Sequence, residues 1–237
     1  MNSPLLAVAT GAGMSAESGV PTFRDGTDAL WQGRRPEEVA TPEAFTRNPE
    51  DVWSFYMARR KNLHSVRPNE GHKAIAGAQE LFGDFQVITQ NVDGLHQAAG
   101  SRRVLELHGS IWRARCGRCA RSEEDRRTEG ELPYCRCGGL MRPDVTWFGE
   151  DLPEGAMAEA LATAGAVKVL IVIGTSNMVY PAASIPLAAL EAGATVIEVN
   201  PQPTPLSRHV SRFIQGPAAA CVPPLLHELA DTFHVHA

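Results

Sequence analysis

The chain has 237 residues, 43% of them hydrophobic and 21% charged, with a formal net charge of −5. That balance describes a globular protein long enough for one full core; it excludes a disordered chain and argues against nucleic acid or an anionic membrane as the main partner. The longest apolar run, Val167 to Ile173, contains Lys168 and is too short to span a bilayer, and Met1-Asn2-Ser3-Pro4 lacks the basic start of a signal peptide, so a cytoplasmic address is expected.

Leu5 to Thr10 reads as a buried first strand running into Gly11-Ala12-Gly13-Met14-Ser15-Ala16-Glu17-Ser18-Gly19. A glycine-rich turn between a strand and a helix brings backbone N–H groups and a helix N-terminus up to a diphosphate. The same small residues would also serve a tight turn with no ligand, and the acidic residue expected at the end of a second strand is not evident. Pro21, Phe23 and Arg24 follow, a set suited to a mobile cover over a nicotinamide-like ring. A helix is expected from about Pro49 to His64, with Val52, Phe55, Tyr56, Arg59 and Leu63 on one side. Tyr56 and Arg59, three apart, present a phenol and a guanidinium fork to a carboxylate; alternatively Arg59 snorkels to solvent or caps a carbonyl. Glu70 to Phe82 reads as an amphipathic helix, with His72, like His64, solvated or structural.

Two short strands, Phe85 to Ile88 and Val104 to Leu107, each run into a polar cluster. The first holds Gln90, Asn91, Asp93 and His96; the second holds His108 followed by Gly109. Chemistry in an open α/β sheet sits at such strand ends, and amides, a carboxylate and imidazoles at two adjacent tips have an active-site composition. Either loop alone would pass as a helix cap. Downstream, Cys116 and Cys119 form one pair and Cys135 and Cys137 another. In a reducing cytosol two close pairs point to a zinc ribbon rather than disulfides. A nucleic-acid ribbon competes, weakened by the acidic residues Glu123, Glu124, Asp125, Glu129 and Glu131 between the pairs. Cys221 stands apart as a small apolar residue. Two further βα units follow, Val167 to Ile173 into Gly174-Thr175-Ser176 and Thr195 to Val199 into Asn200-Pro201-Gln202, whose hydroxyls and amides suit a phosphate or ribose. A short strand near Arg212 to Ile214 and a helix from Pro223 to about Phe233 close the chain.

GAGMSAESGVPTFRD, TQNVDGLHQAAG, LELHGS, the paired cysteines and RPDVTWFGE, in this order, resemble the sirtuins, the family of NAD-dependent protein-lysine deacylases, over nearly the whole chain. The resemblance implies an α/β fold: a Rossmann-like parallel sheet domain (1–26, 70–112 and 149–237) with a smaller inserted helical (27–69) and zinc-ribbon (113–148) domain. It implies NAD as a consumed co-substrate, held by residues 11–17 of the glycine-rich turn, by Pro21, Phe23 and Arg24, by Gln90, Asn91 and Asp93, by Gly174, Thr175 and Ser176, and by Asn200, Gln202 and Ala218. His108 becomes the general base, with Gln90, Asn91 and Asp93 as catalytic partners. Ala40 and the Tyr56/Arg59 pair match the subclass that recognises succinyl- and malonyl-lysine, and Val145, Trp147 and Phe148 match an edge of the acyl-lysine channel. Cys116, Cys119, Cys135 and Cys137 match the ligands of one structural zinc, although C-x-C stands where C-x-x-C is usual. The implied partners are acyl-lysine proteins, with no membrane or nucleic acid. A mono-ADP-ribosyltransferase and a non-catalytic NAD-sensing module remain as alternative functions.

Overall fold

The protein is described here by a computed structural model covering residues 6–22, 31, 33–82 and 85–233. Six parallel strands form the main sheet in the order β3-β2-β1-β7-β8-β9: β1 Leu6–Thr10, β2 Gln86–Thr89, β3 Val104–Glu106, β7 Val169–Ile173, β8 Thr195–Asn200 and β9 Arg212–Gln215. β1 and β7 are apolar and buried throughout, as central strands covered on both faces must be. Alternation then sorts the side chains. Leu6 and Val8 pack with Ile75, Phe82, Leu225 and Leu229, whereas Ala7 and Ala9 pack with Ala160, Ala164, Ile185 and Ala189. The chain order reverses between β1 and β7, and a crevice outside their carboxyl ends is where such sheets bind ligands.

Helices whose full range lies among the described residues are, in chain order, α1 Pro36–Val39, α2 Pro42–Arg47, α3 Pro49–Leu63, α4 Glu70–Phe82, α5 Leu95–Ala98, α6 Ala156–Ala166, α7 Ser184–Glu191 and α8 Ala218–Thr232. Local chemistry starts α3 firmly: the Asn48 side chain accepts from the Asp51 N–H, Pro49 opens the helix, and Glu50 and Asp51 face its positive end. A second sheet, in the order β5-β4-β6, is antiparallel and made of β4 Gly109–Cys116, β5 Ser122–Glu124 and β6 Met141–Val145. β4 thus begins inside the stretch read as core. Helix α3 joins the two halves of this region. Phe55 and Tyr56 pack with Trp31, Ala40 and Trp147, and Trp53 and Met57 pack with Ala114 and Met141.

Two expectations need correction. The glycine-rich turn does not open an α-helix; it makes two 3-10 turns, Ala12–Met14 and Ala16–Ser18, ended by Gly19 at φ 89°. Val20 and Pro21 then follow, and a residue before proline disfavours helix, so among the described residues this loop opens no α-helix. The last helix starts at Ala218, five residues before the proline taken as its first residue, leaving Pro223 and Pro224 inside it. Each proline forfeits a helical hydrogen bond. Burial of Ala218, Val222, Leu225, Leu226 and Leu229 outweighs that loss.

Candidate active site

The loops after β1 and β7 touch backbone to backbone. Gly13 N–H donates to the Gly174 carbonyl at 2.8 Å, and Gly11 N–H donates to Ile173 at 3.0 Å. A Cβ on Gly13 would lie 2.7 Å from Gly174 Cα, and Gly174 itself sits at φ +61°. Both glycines are therefore required by this loop-on-loop contact, which makes a cradle of bare backbone. The Met14 and Ser15 N–H groups are bonded within the turn, to Gly11 and Ala12.

At the floor of the cradle lies a buried polar network. Ser15 Oγ donates to Asp93 Oδ2 at 2.7 Å and accepts from Asn91 Nδ2 at 3.1 Å. Asn91 Nδ2 also donates to the Gly11 carbonyl, and Gln90 Nε2 donates to Thr175 Oγ1 at 3.1 Å. Burial raises the Asp93 pKa, opposed by hydrogen bonds from Leu95 N–H and Ser15 and by the nearby Arg59 charge. Asn200 Nδ2 donates to the Thr175 carbonyl at 2.7 Å. The expected site residues from β1, β2, β7 and β8 thus meet at the switch point. Ala218 is buried at the start of α8, and Glu17 accepts from the neighbouring Ala219 N–H. Ala16, Pro21, Ser176 and Gln202 are exposed at the rim, and Ala12 is half-buried. Phe23 and Arg24 lie outside the described residues.

His108 stands half-buried at the end of β3, its Nδ1 3.0 Å from the Gln90 carbonyl. A carbonyl only accepts, so Nδ1 carries the hydrogen and Nε2 keeps its lone pair. Burial lowers the pKa below 6.5, partly offset by that hydrogen bond, so the ring is neutral at pH 7. Gly109 lets the chain turn away at φ +74°, where a Cβ would lie 2.2 Å from the Asp144 carbonyl oxygen.

The other two histidines of this region are structural. His72, expected as solvated or structural, is fully buried, and His96 shows 1% exposure. Their rings meet 4.9 Å apart, beneath Ser15 and Thr10. His96 therefore lies behind the site rather than in it. His64 is exposed, edge-on to Trp112.

At the helical end, Tyr56 is buried and its hydroxyl accepts from Trp147 Nε1 at 2.9 Å. Arg59 is half-buried with its guanidinium 5.7 Å from the Phe55 ring, and among the described residues it has no hydrogen-bond or ion-pair partner. Burial lowers its pKa, while Tyr56 and Asp93 act to raise it. Ala40 is buried and its carbonyl accepts from Phe148 N–H at 3.0 Å. Of the three expected channel residues, Val145 and Trp147 are buried and Phe148 is exposed.

Sequence periodicity missed the neighbouring Arg60, which is fully buried. Its guanidinium donates to the Ile111, Arg113 and Arg127 carbonyls and lies 3.3 Å from the Asp125 carboxylate. Glu198, also fully buried, accepts from Asn177, Thr204 and Ser207 and ties the loop after β8 to the loop after β7. A lone acid inside the apolar strand T-V-I-E-V-N was its only signal.

The four paired cysteines place one Sγ each within 4.8 Å of all the others. Their Sγ separations include 3.5 Å for Cys116–Cys137 and 3.7 Å for Cys119–Cys135, against about 3.8 Å for a tetrahedral thiolate shell at a zinc–sulfur distance of ~2.3 Å. The shortened C-x-C pair is accommodated by Gly138 at φ +77° and by Gly139, where a Cβ would lie 2.8 Å from Cys116 Sγ. The donor set and its spacing fit one structural zinc.

Residues 11–181 match the Sir2 family. NAD-dependent protein deacylase 2 of Pyrobaculum aerophilum is 54% identical over 224 residues, covering 94% of this chain and 90% of that protein. The NAD-dependent protein deacylase of Mycobacterium tuberculosis is 48% identical over 231 residues, covering 94% and 97%. Among solved structures, a Sir2 homolog–NAD complex superposes with a TM-score of 0.89 at 44% identity, covering 97% of this chain and 91% of that one. A Sir2–p53 peptide–NAD+ complex does so with a TM-score of 0.80 at 30% identity, covering 98% and 94%. With the family match spanning the cradle, Gln90, Asn91, Asp93, His108 and all four cysteines, this chain belongs to the Sir2 family, the sirtuins.

Proposed function

We propose that this protein is an NAD-dependent protein-lysine deacylase that removes succinyl or malonyl groups and also acetyl, yielding nicotinamide, free lysine and O-acyl-ADP-ribose. The observation that carries the reading is the fixed tautomer of His108, a neutral imidazole held by the Gln90 carbonyl, whose Nε2 has no partner among the described residues. The relatives' names and the NAD-bound homolog support the co-substrate. NAD, when bound, supplies a ribose whose anomeric carbon gives up nicotinamide and takes the acyl oxygen of the lysine amide. Asn91 and Asp93 hold the nicotinamide carboxamide and ribose region. Because both Asn91 amide N–H groups are engaged, with Gly11 and Ser15, its amide oxygen is the group left for ligand donors, while Gln90 commits one N–H to Thr175 and keeps its second N–H and its amide oxygen for a ligand. Gln90 positions ribose hydroxyls, and His108 Nε2 accepts the proton of one of them as general base.

Gly11 to Glu17, Pro21, Gly174 to Ser176, Asn200, Gln202 and Ala218 complete the cofactor surface, with Phe23 and Arg24 as its cover. Val145, Trp147 and Phe148 edge the acyl-lysine channel, and Cys116, Cys119, Cys135 and Cys137 hold a structural zinc. The Rossmann-like core binds NAD, and the helical and zinc-bearing inserts hold the substrate. Arg59, which among the described residues has no ion-pair partner, and Tyr56 read the acyl carboxylate beside the small Ala40. No described helix is long and apolar enough to cross a membrane; a cytoplasmic setting remains the proposal.

The test is nicotinamide release and product mass with NAD and matched acetyl- and succinyl-lysine peptides. The expected result is preference for the succinyl peptide, O-succinyl-ADP-ribose as product, and loss of turnover in His108→Ala. Preference for acetyl would discard the acyl assignment; ADP-ribose fixed covalently on protein would replace the deacylase reading with a transferase.

A further inference from the structure

Trp147 is 3% exposed, packed among Phe45, Tyr56 and Arg142. The Arg142 guanidinium lies 3.4 Å from the ring centroid, and the Phe45 ring lies 5.4 Å away. Arg142 in turn grips both oxygens of Glu150 and donates to the Val145 carbonyl at 2.8 Å, while Glu150 Oε2 accepts from the Trp147 backbone N–H at 2.8 Å. This clasp closes the loop from Arg142 to Glu150 and leaves the indole N–H one direction, towards Tyr56.

The direction of that hydrogen bond matters chemically. An indole N–H only donates, so at 2.9 Å it occupies a lone pair of the Tyr56 hydroxyl. Among the described residues the Tyr56 hydroxyl donates to nothing, so its own proton is uncommitted. Burial raises the phenol pKa, and the proton stays on at neutral pH. A tyrosine held in this way offers a proton to an acceptor-only group, and a carboxylate is such a group.

We propose that Trp147 is a positioning residue for acyl selectivity, orienting the Tyr56 hydroxyl as a donor to the carboxylate of an anionic acyl-lysine while Arg59 supplies the opposite charge. The proposal rests on the Tyr56 and Arg59 reading of the acyl end. Beyond its place at the edge of the acyl-lysine channel, Trp147 acts on selectivity through Tyr56. An acetyl group has no acceptor at that end, so its turnover makes no demand on the phenol proton.

The experiment measures kcat and KM for matched succinyl- and acetyl-lysine peptides with the zinc-loaded full chain, and reads the ratio of the two kcat/KM values. Tyr56→Phe removes the hydroxyl, Trp147→Phe removes the indole donor, and the double variant removes both. The expected result is a succinyl-to-acetyl ratio roughly tenfold lower in Trp147→Phe, through a higher KM for the succinyl peptide, with no further fall in the double variant relative to Tyr56→Phe. If Trp147→Phe does not fold, benzothienylalanine at position 147 keeps the indole shape, replaces N–H by sulfur, and should lower the ratio equally. A ratio that falls in Tyr56→Phe but not in the Trp147 variants overturns the proposal and leaves the acyl reading standing. So does an additive fall in the double variant. A ratio unchanged in Tyr56→Phe overturns the acyl reading and the proposal with it.

Discussion

Acid should destabilise this protein through two histidines that never meet solvent. His96 Nε2 lies 3.0 Å from Thr10 Oγ1, which itself donates to Thr89, so Nε2 carries the hydrogen; Nδ1 is buried without a partner. Protonating it would place a charge beside the His72 ring and nothing that accepts. Burial lowers the His72 pKa to about 4, and burial with the neighbouring His72 lowers that of His96 to about 3. Both folded values lie below the unfolded value of about 6.5, so between pH 6.5 and 4 the unfolded chain binds more protons. The stability is whole above pH 6.5 and drains as the pH falls. Each histidine costs about 1.4 kcal/mol per pH unit in that window, so the pair should lose roughly 3 kcal/mol from pH 7.5 to 5.5, a large share of a typical 5–15 kcal/mol. Asp93 acts the other way, because a carboxyl whose pKa is raised in the fold favours folding as pH drops towards it. Urea unfolding of the zinc-loaded protein at pH 7.5, 6.5 and 5.5 measures the slope, and His96→Gln isolates one histidine. The variant should be less stable overall yet lose up to half of the pH dependence, with zinc, Asp93 and the lowered pKa of His108 contributing equally to both proteins. An unchanged slope in His96→Gln would refute the argument.

Arg60→Met should cost about 1–3 kcal/mol, since it takes the guanidinium donor from three carbonyls while the Asp125 carboxylate keeps Arg127; a thermal midpoint close to the unsubstituted protein's would contradict that. Chelation should raise the count of reactive thiols by four, the four clustered cysteines, and release one zinc per chain; clustered thiols already reactive before chelation would exclude the tetrahedral site. The acid limb of the deacylation rate should fall below pH 6.5, because a base with a lowered pKa stays neutral until the pH drops through that lowered value; a limb above pH 6.5 would remove His108 from the role.

Much of this arrangement was legible in the sequence because its signals are local. β1 and β7 are apolar on both faces, which marks central parallel strands, and each ends in a glycine that the two-loop contact demands. The polar residues after β2 and β3 announced the site by composition, and the cysteine spacing announced the metal cluster. What stayed hidden depends on partners far along the chain. Arg59 and Arg60 differ by about 100° of helix turn, and periodicity favoured Arg59 as the inward residue. Arg60 took the deeper position because carbonyls of β4 and a carboxylate 65 residues away are there to meet it. His72 and His96 are the same case: their burial follows from α4 and α5 packing beside the first loop, which no local pattern encodes.

The placement of Arg60 also explains why a zinc cluster remote from the chemistry belongs to this fold. β4 begins one residue after His108 and ends on Cys116; β6 begins at Met141, shortly after Cys137, and leads through Val145 to Trp147. The two strands pair antiparallel, with Gly109 opposite Val145 at one end and Cys116 opposite Met141 at the other. The cysteines therefore pin the far ends of two strands whose near ends lead to His108, the proposed base, and to Trp147. Arg60 fastens α3, and with it Tyr56 and Arg59, to the Ile111 and Arg113 carbonyls of the same β4 strand. One strand thus sets the spacing between His108 and the proposed acyl end, and a zinc closed in by the four cysteines would fix that strand while standing clear of the proposed reacting groups.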